Sequence, residues 1–188
     1  MVQLILSFLA IHTTTDLLTK TLVELAQHPE VMNDLREEIS NRTGLDGLTK
    51  ASLQGMKLLD SVIMESQRTK PTGIISMQRM ATENITLSDG TFIPRNSGVA
   101  VSTLEMWDPK TYEEPQTWDA HRGSRMRDDP ARKHEAQLVS TSPRHLGFGH
   151  GIHARPGRFM AASEIKIIMI EMLTSYDWRL PTGAKPQV

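Results

Sequence analysis

The 188-residue sequence contains no cysteine. Disulfides, thiolate metal ligands and thiol nucleophiles are therefore excluded. The formal net charge is only −1, so no basic footprint points to nucleic acid as a partner. No apolar run is long enough to span a bilayer, and the apolar segment 2–11 lacks the basic flank of a signal peptide. We expect a cytoplasmic protein with no membrane anchor in this chain.

Hydrophobic periodicity predicts four helices. The residue before a proline avoids the α region, so His28–Pro29 should separate the first helix from the second. Gly44 and Gly47 mark the loop that follows. The predicted helical ranges are 4–27, 29–40, 58–69 and 164–175.

The period changes to an alternating, β-branched pattern over residues 73–103, with Asp89–Gly90 as a hairpin turn. This pattern predicts two to four short strands. Residues 125–145 are polar and are expected to be irregular. The apolar fraction of 38% is enough for a packed core. We therefore predict a mostly α fold with a small β-sheet, in one domain covering residues 1–188.

Three short motifs carry the chemical information. The stretch "ESQR" places Glu65 and Arg68 three residues apart, on one face of the third predicted helix. The stretch "PQTWDAHRGSR" contains Arg122, and "FGHGIHARPGR" runs from Phe148 to Arg158. Its three glycines allow tight backbone approach. In this order and at these separations, the motifs resemble those of a cytochrome P450.

The resemblance assigns each motif a counterpart in that family. "ESQR" is similar to the ExxR of the K helix, and Arg122 to the arginine that completes a Glu-Arg-Arg triad. "FGHGIHARPGR" resembles the haem-binding loop, FGxGxxxCxG. The stretch "AIHTTTD" resembles the oxygen-activating part of the I helix. We expect a truncated, C-terminal half of a fungal P450, running from the I helix to the L helix. By resemblance, the triad Glu65, Arg68 and Arg122 is structural.

One departure from the family pattern decides the functional prediction. Arg155 stands where the resemblance places the haem-ligating cysteine. P450 chemistry uses a thiolate that favours O–O cleavage. Arginine stays protonated and has no lone pair to offer. A buried guanidinium aimed at iron would also add repulsion and a desolvation cost. We therefore expect no cofactor and no metal.

Binding of haem b is a competing hypothesis. In that case the resemblance places Arg79 and His153 at the haem propionates. His150 or His153 would then be the residue able to ligate the iron, and such a residual haem protein would have weak peroxidase-like activity at best.

Our first functional hypothesis is a cofactor-independent enzyme of fungal specialised metabolism. It would isomerise, dehydrate or cyclise a lipophilic terpenoid, alkaloid or polyketide intermediate. Arg155 would stabilise a developing oxyanion or enolate. A non-catalytic binding or partner protein is the second hypothesis, and an inactive relic is the third. For His12 and Thr13, a polar kink in a packed helix is an equally good interpretation. The candidate catalytic residues are His12, Thr13, His150, His153 and Arg155.

The expected truncation has a consequence for partners. The I and L helices would lack the part of the family fold that covers them, so their apolar faces would need another partner. Leu4, Ile5, Phe8 and Leu9 are expected to belong to such a face. We expect a homo-oligomer or a docking partner at this face, besides the lipophilic small molecule.

Overall fold

The computed structural model describes residues 2–44 and 47–184, with side chains from Ile11 onward. The fold is mostly α-helical with two small antiparallel sheets. Six α-helices are present in the described part of the chain. They are α1 (Val2–Gln27), α2 (Pro29–Thr43), α3 (Lys50–Gly55), α4 (Lys57–Thr69), α5 (Arg122–Asp128) and α6 (Arg158–Ser175).

Helices α1 and α2 follow the predicted pattern closely. His28 separates them, and Pro29 begins α2, a position where its missing N–H costs no hydrogen bond. The α1 face that carries Leu17 and Leu25 packs into the core. The side chains of Leu4, Ile5, Phe8 and Leu9 lie outside the described residues.

Helix α3 is absent from the sequence-based prediction. Thr49 caps it, because Thr49 Oγ1 accepts from Ser52 N at 3.1 Å while Ser52 Oγ accepts from Thr49 N at 2.8 Å. This reciprocal arrangement is a capping box with serine in place of the usual Glu or Gln. Six residues are too few for a hydrophobic period to be visible in the sequence.

Helix α6 begins at Arg158, earlier than the predicted start at Glu164. The sequence pattern did not reveal this earlier start, because Phe159 and Met160, in the first turn of α6, are 56% and 76% exposed. These exposed apolar residues break the amphipathic pattern, whose buried side begins at Ala162 and Ile165.

Four short strands occupy the region predicted to be β. Strands β1 (Ile75–Met80) and β4 (Gly98–Ser102) pair in one antiparallel sheet. Strands β2 (Ile85–Thr86) and β3 (Phe92–Ile93) pair in the other, across the turn at Gly90. Between the pairs Ser76–Val101 and Arg79–Val99, β1 has two residues opposite one, which is a β-bulge. The bulge includes Met77, whose φ of 52° is positive.

Helix α4 lies at the centre of the fold. Every residue from Leu59 to Arg68 is buried, because α1, α2, α5 and the turn at Leu104–Trp107 all pack against it. The free backbone N–H groups at the amino end of α4 find their hydrogen-bond acceptor on another helix. The carboxylate of Glu38 in α2 accepts from Leu58 N at 2.8 Å and from Leu59 N at 2.9 Å.

Segments 108–121 and 129–150 are mostly turns, which agrees with the irregular structure predicted over residues 129–145. Helix α5 interrupts them and occupies the first residues of the stretch that we expected to be irregular. None of the described helices is both apolar and long enough to cross a membrane.

The Glu38 contact gives a first prediction. We expect Glu38→Ala to lower the free energy of unfolding by about 1 kcal/mol, since it removes the acceptor for two amide groups and a negative charge at a helix amino end. Chemical denaturation measures this. Glu37→Ala, at the exposed neighbouring position on α2, is the matched control and should change stability little. Equal effects of the two substitutions would contradict the capping role.

Candidate functional site

The buried carboxylate of Glu65 lies at the centre of the site. Glu65 lies on α4 and is 1% exposed, as is Arg68 one turn later. The Arg68 guanidinium donates from Nε to Glu65 Oε2 and from Nη2 to Glu65 Oε1, both at 2.8 Å. Two parallel charge-assisted bonds of this kind fix both side chains. The i, i+3 spacing on a helix brings the pair together.

Arg122, the first residue of α5, completes a three-residue network. Its Nε donates to Glu65 Oε1 at 3.0 Å. The same carboxylate oxygen also accepts from Asp119 N at 3.2 Å. Glu65 therefore joins α4 to the start of α5, 57 residues later in the chain.

The two guanidinium groups use their remaining donors on backbone carbonyls. Arg68 Nη1 donates to Met106 O and Pro115 O, each at 2.7 Å. Arg122 Nη1 donates to Glu113 O at 2.7 Å. These acceptors lie in a segment without α-helix or strand. The network thus supplies hydrogen bonds that regular secondary structure would otherwise provide.

The glycine-rich segment forms a tight backbone turn before α6. Gly149 N donates to Leu146 O at 2.9 Å, and Arg155 N donates to Phe148 O at 3.0 Å. Gly149 and Gly151 have φ values of 70° and 75°, in the left-handed region that favours glycine. The turn is therefore held by backbone hydrogen bonds and by glycine conformations.

A second contact joins this loop to α4, and sequence reasoning missed it. Gln67 Oε1 lies 2.9 Å from Nε2 of His145, and both residues are buried. A Cβ added to Gly147 would overlap the side-chain amide of Gln67. Gln67 lies inside the "ESQR" motif, directly before Arg68. That position was the sequence signal available for identifying Gln67 as a site residue.

His145 has an unusual environment. Its pKa is lowered from 6.5 to about 4, because burial disfavours the charged imidazolium and because the Arg68 cation lies nearby. With Nε2 donating to Gln67, Nδ1 has no hydrogen-bond partner within residues 2–44 and 47–184. His145 is thus a neutral structural histidine in the folded protein.

Arg155 and the α1 alcohols meet at one cavity. Thr13 and Thr14 from α1, Phe148 and Arg155 from the loop, and Ile165 from α6 line a space of about 20 Å³. Arg155 itself is exposed. The sequence-based picture of a buried guanidinium is therefore wrong for this structure, because the Arg155 side chain stays in contact with solvent.

The remaining predicted site residues do not line that cavity. His12 and His153 are exposed, and His150 is half-buried with Nδ1 3.2 Å from Thr141 Oγ1. Arg79 is exposed on β1, and its guanidinium donates to the neighbouring carbonyl of Gln78. Across the described ranges, no group of three His, Asp or Glu side chains has the arrangement of a metal site.

Comparisons with known proteins agree with this architecture. The family model described as Cytochrome P450 matches residues 2–188. The chain is 52% identical to cytochrome P450 monooxygenase hepE of Aspergillus oryzae, over 99% of this chain and 34% of that protein. It is 50% identical to cytochrome P450 monooxygenase TRI1 of Fusarium sporotrichioides, over 98% of this chain and 34% of that protein. The chain spans about a third of the length of the curated relatives it matches.

The contact between Gly147 and Gln67 gives a second prediction. We expect Gly147→Ala to lower the free energy of unfolding by about 1–3 kcal/mol, because the new methyl group displaces the buried Gln67 amide and leaves polar groups unpaired. Gly157→Ala is the matched control, since its added Cβ meets nothing within 4 Å and its φ is −75°. Urea denaturation of both variants measures the difference, and equal stabilities would contradict the contact.

The lowered pKa of His145 gives a third prediction. Between its ordinary pKa of 6.5 and about 4, the unfolded chain binds a proton at His145 that the folded chain excludes. Stability should therefore fall as pH drops through this window, by at most about 1.4 kcal/mol per pH unit from this group. Above pH 6.5 the contribution is fully present.

Denaturation curves recorded from about pH 7 to about pH 4 test this. His145→Gln should reduce the slope of stability against pH, whereas His121→Gln, at an exposed histidine, should leave it unchanged. Identical slopes for the wild type and His145→Gln would show that His145 titrates alike in both states.

Proposed function

The chain belongs to the cytochrome P450 family, and from that premise we propose that it works without the haem–thiolate chemistry of the family. The observation that carries the proposal is that Arg155, at the glycine-rich loop, lines the same small space as Thr13 and Thr14. We propose a cofactor-independent enzyme that isomerises, dehydrates or cyclises a lipophilic intermediate, with Arg155 as a fixed cation.

The residues present do not fit a haem–thiolate centre. No cysteine exists in the 188 residues, and a guanidinium has no lone pair with which to bind iron. The space between Thr13 and Arg155 is about 20 Å³. Such a volume holds about one water molecule, far less than a porphyrin. The proposed reaction therefore does not use a haem–thiolate.

Arg155 has the features of an electrostatic catalyst. Its backbone N–H holds the loop, and its side chain is exposed. Within the described part of the chain, no acidic side chain forms an ion pair with it. An unpaired guanidinium is available to donate two hydrogen bonds to a developing oxyanion.

The simplest reaction that uses a fixed cation and a histidine base is enolisation. A histidine base, His150 or His153 in the same loop, takes a proton from the carbon next to a carbonyl group. The electron pair moves to the carbonyl oxygen, which becomes an enolate, and the Arg155 guanidinium donates hydrogen bonds to that oxygen. When the substrate is a β,γ-unsaturated ketone or ester, this proton removal gives a dienolate, and return of the proton to its γ-carbon completes an isomerisation to the conjugated α,β-unsaturated product.

The family resemblance supports a proposal for the substrate class. The chain is 48% identical over 98% of its length to cytochrome P450 monooxygenase calE of Penicillium decumbens, and the other fungal relatives are also called monooxygenases. The resemblance to fungal P450s implies a lipophilic terpenoid, alkaloid or polyketide. We therefore propose a lipophilic ketone or ester as the substrate.

The small size of the Arg155 cavity favours a second candidate function, that of a non-catalytic protein. A space of about 20 Å³ cannot enclose a lipophilic substrate unless α1 or the loop moves. A non-catalytic binding or partner protein needs no such enclosure. In that case the network around Glu65 would serve only to keep a docking scaffold folded.

A fourth prediction separates the two candidates. With 2-decalone as a probe in D2O, the protein should accelerate exchange of the hydrogens next to the carbonyl, as measured by NMR. Arg155→Gln should reduce the exchange rate at least about tenfold, since it removes the charge that stabilises the enolate. Arg79→Gln, at an exposed arginine on β1, should leave the rate unchanged.

Two results would contradict the enzymatic proposal. The first is a rate no higher than that of buffer, which would favour the non-catalytic protein. The second is an equal loss of exchange rate in Arg155→Gln and Arg79→Gln, which would show that only the overall charge of the protein matters.

A further inference from the structure

A second cleft lies on a different side of α6 from the Arg155 cavity. Its volume is about 510 Å³, within the range of about 300–1,000 Å³ typical of small-molecule sites. Phe159, Ala162, Ser163 and Lys166 of α6 line it. Ala161 and Ile165, by contrast, face the Arg155 cavity. The cleft is therefore independent of the proposed function.

Asp60 and Lys166, which line the cleft, belong to a largely buried ion cluster with Arg127. Asp60 Oδ1 lies 2.7 Å from Lys166 Nζ, and Asp60 Oδ2 lies 2.9 Å from Arg127 Nη2. Asp60 and Lys166 are each 6% exposed. Two cations share one carboxylate, so the cluster carries an excess of one positive charge. A buried excess charge is costly unless an opposite charge reaches it.

Lys166 also has donor capacity to spare. An ammonium group has three N–H donors. Leu53 O accepts one of them at 2.7 Å, and Asp60 Oδ1 lies 2.7 Å from Nζ as its ion-pair partner. No acceptor for the third donor occurs in the parts of the chain that the structure describes. Arg127 Nε is likewise buried without a partner within those parts.

The walls are suited to an apolar chain. Leu53 of α3, Val139 of the loop before the glycine-rich turn, and Phe159 of α6 form three apolar sides. Lys50 stands exposed at the edge and adds a second positive charge to the lining. An anionic head group at Lys166 and an apolar tail along these walls would satisfy both features.

We propose that this cleft binds a lipophilic monocarboxylate, with its carboxylate at Lys166 and its chain along Leu53, Val139 and Phe159. The carboxylate accepts the third Lys166 N–H and neutralises the excess charge of the cluster. A neutral amide of the same length gains the apolar contacts but leaves that charge uncompensated.

Isothermal titration of the full chain with octanoate and octanamide tests the proposal. Octanoate should bind at least about tenfold more tightly than octanamide, because only the anion neutralises the buried cluster. Amide chemical shifts that change on binding should fall on α3, α6 and Val139. Equal affinities, or shift changes confined to other surfaces, would overturn the proposal.

A pair of tryptophan variants locates the site. Ser163→Trp should fill the cleft and weaken octanoate binding at least about tenfold, since the chain loses its apolar contacts. Thr174→Trp is the matched control. Ser163 and Thr174 are both exposed on α6, and each hydroxyl donates to the carbonyl four residues earlier, but Thr174 does not line the cleft. Unchanged binding by Ser163→Trp would overturn the proposal.

A second pair of variants tests the same binding site if Ser163→Trp fails to fold. Lys50→Gln should weaken octanoate binding about two- to fivefold, as expected for one exposed charge. Lys57→Gln, also an exposed lysine that begins a helix, lies outside the cleft and should have no effect. Equal effects of Lys50→Gln and Lys57→Gln would show that only overall charge matters and would overturn the assignment.

Discussion

The carboxylate of Glu65 is the point on which this structure depends. It receives two bonds from Arg68, one from Arg122 and one from the Asp119 amide. Removing one member of a buried ionic network typically costs about 3–5 kcal/mol, since the remaining charge is left unpaired. The same network supplies donors to carbonyls between Met106 and Thr117, a segment with few backbone hydrogen bonds of its own. Helix α4 therefore stabilises residues 106–117 through the side chains of Glu65 and Arg68.

The glycine-rich loop depends on the same helix through Gln67. The contact of Gln67 with His145 and Gly147 lies one residue from Arg68, so α4 positions both the irregular segment and the loop. Within the loop, Arg155 contributes a backbone N–H to Phe148, while its side chain is exposed. The backbone conformation of the loop therefore does not need a particular side chain at residue 155. The loop conformation is thus compatible with an arginine at residue 155.

The sequence predicted those elements whose packing has a clear period. Helices α1, α2 and α4 have starts and ends within about three residues of the predicted ones, because proline and a buried apolar face mark them. Helix α3 depends on a side-chain cap over only six residues, and the first turn of α6 exposes Phe159 to solvent, so neither has a periodic signal. The mostly α class with short strands is confirmed.

The site was less predictable than the fold. The motifs named Glu65, Arg68 and Arg122, since short spacing and family resemblance identify them. Long-range contacts such as Gln67–His145 depend on how two distant segments pack, and no local pattern encodes that. The exposure of Arg155 could not be read from the sequence either, because it depends on the direction in which the loop presents its side chain.

The haem content of the protein itself tests the proposed function most directly. The chain would be produced in haem-supplemented cells, separated from free haem by gel filtration, and examined by absorption spectroscopy with and without reduction and carbon monoxide. We expect no Soret band that co-elutes with the protein, because the chain has no thiolate and Arg155 cannot bind iron. A stoichiometric, co-eluting Soret band would show that the loop holds haem through another residue and would contradict the haem-free account.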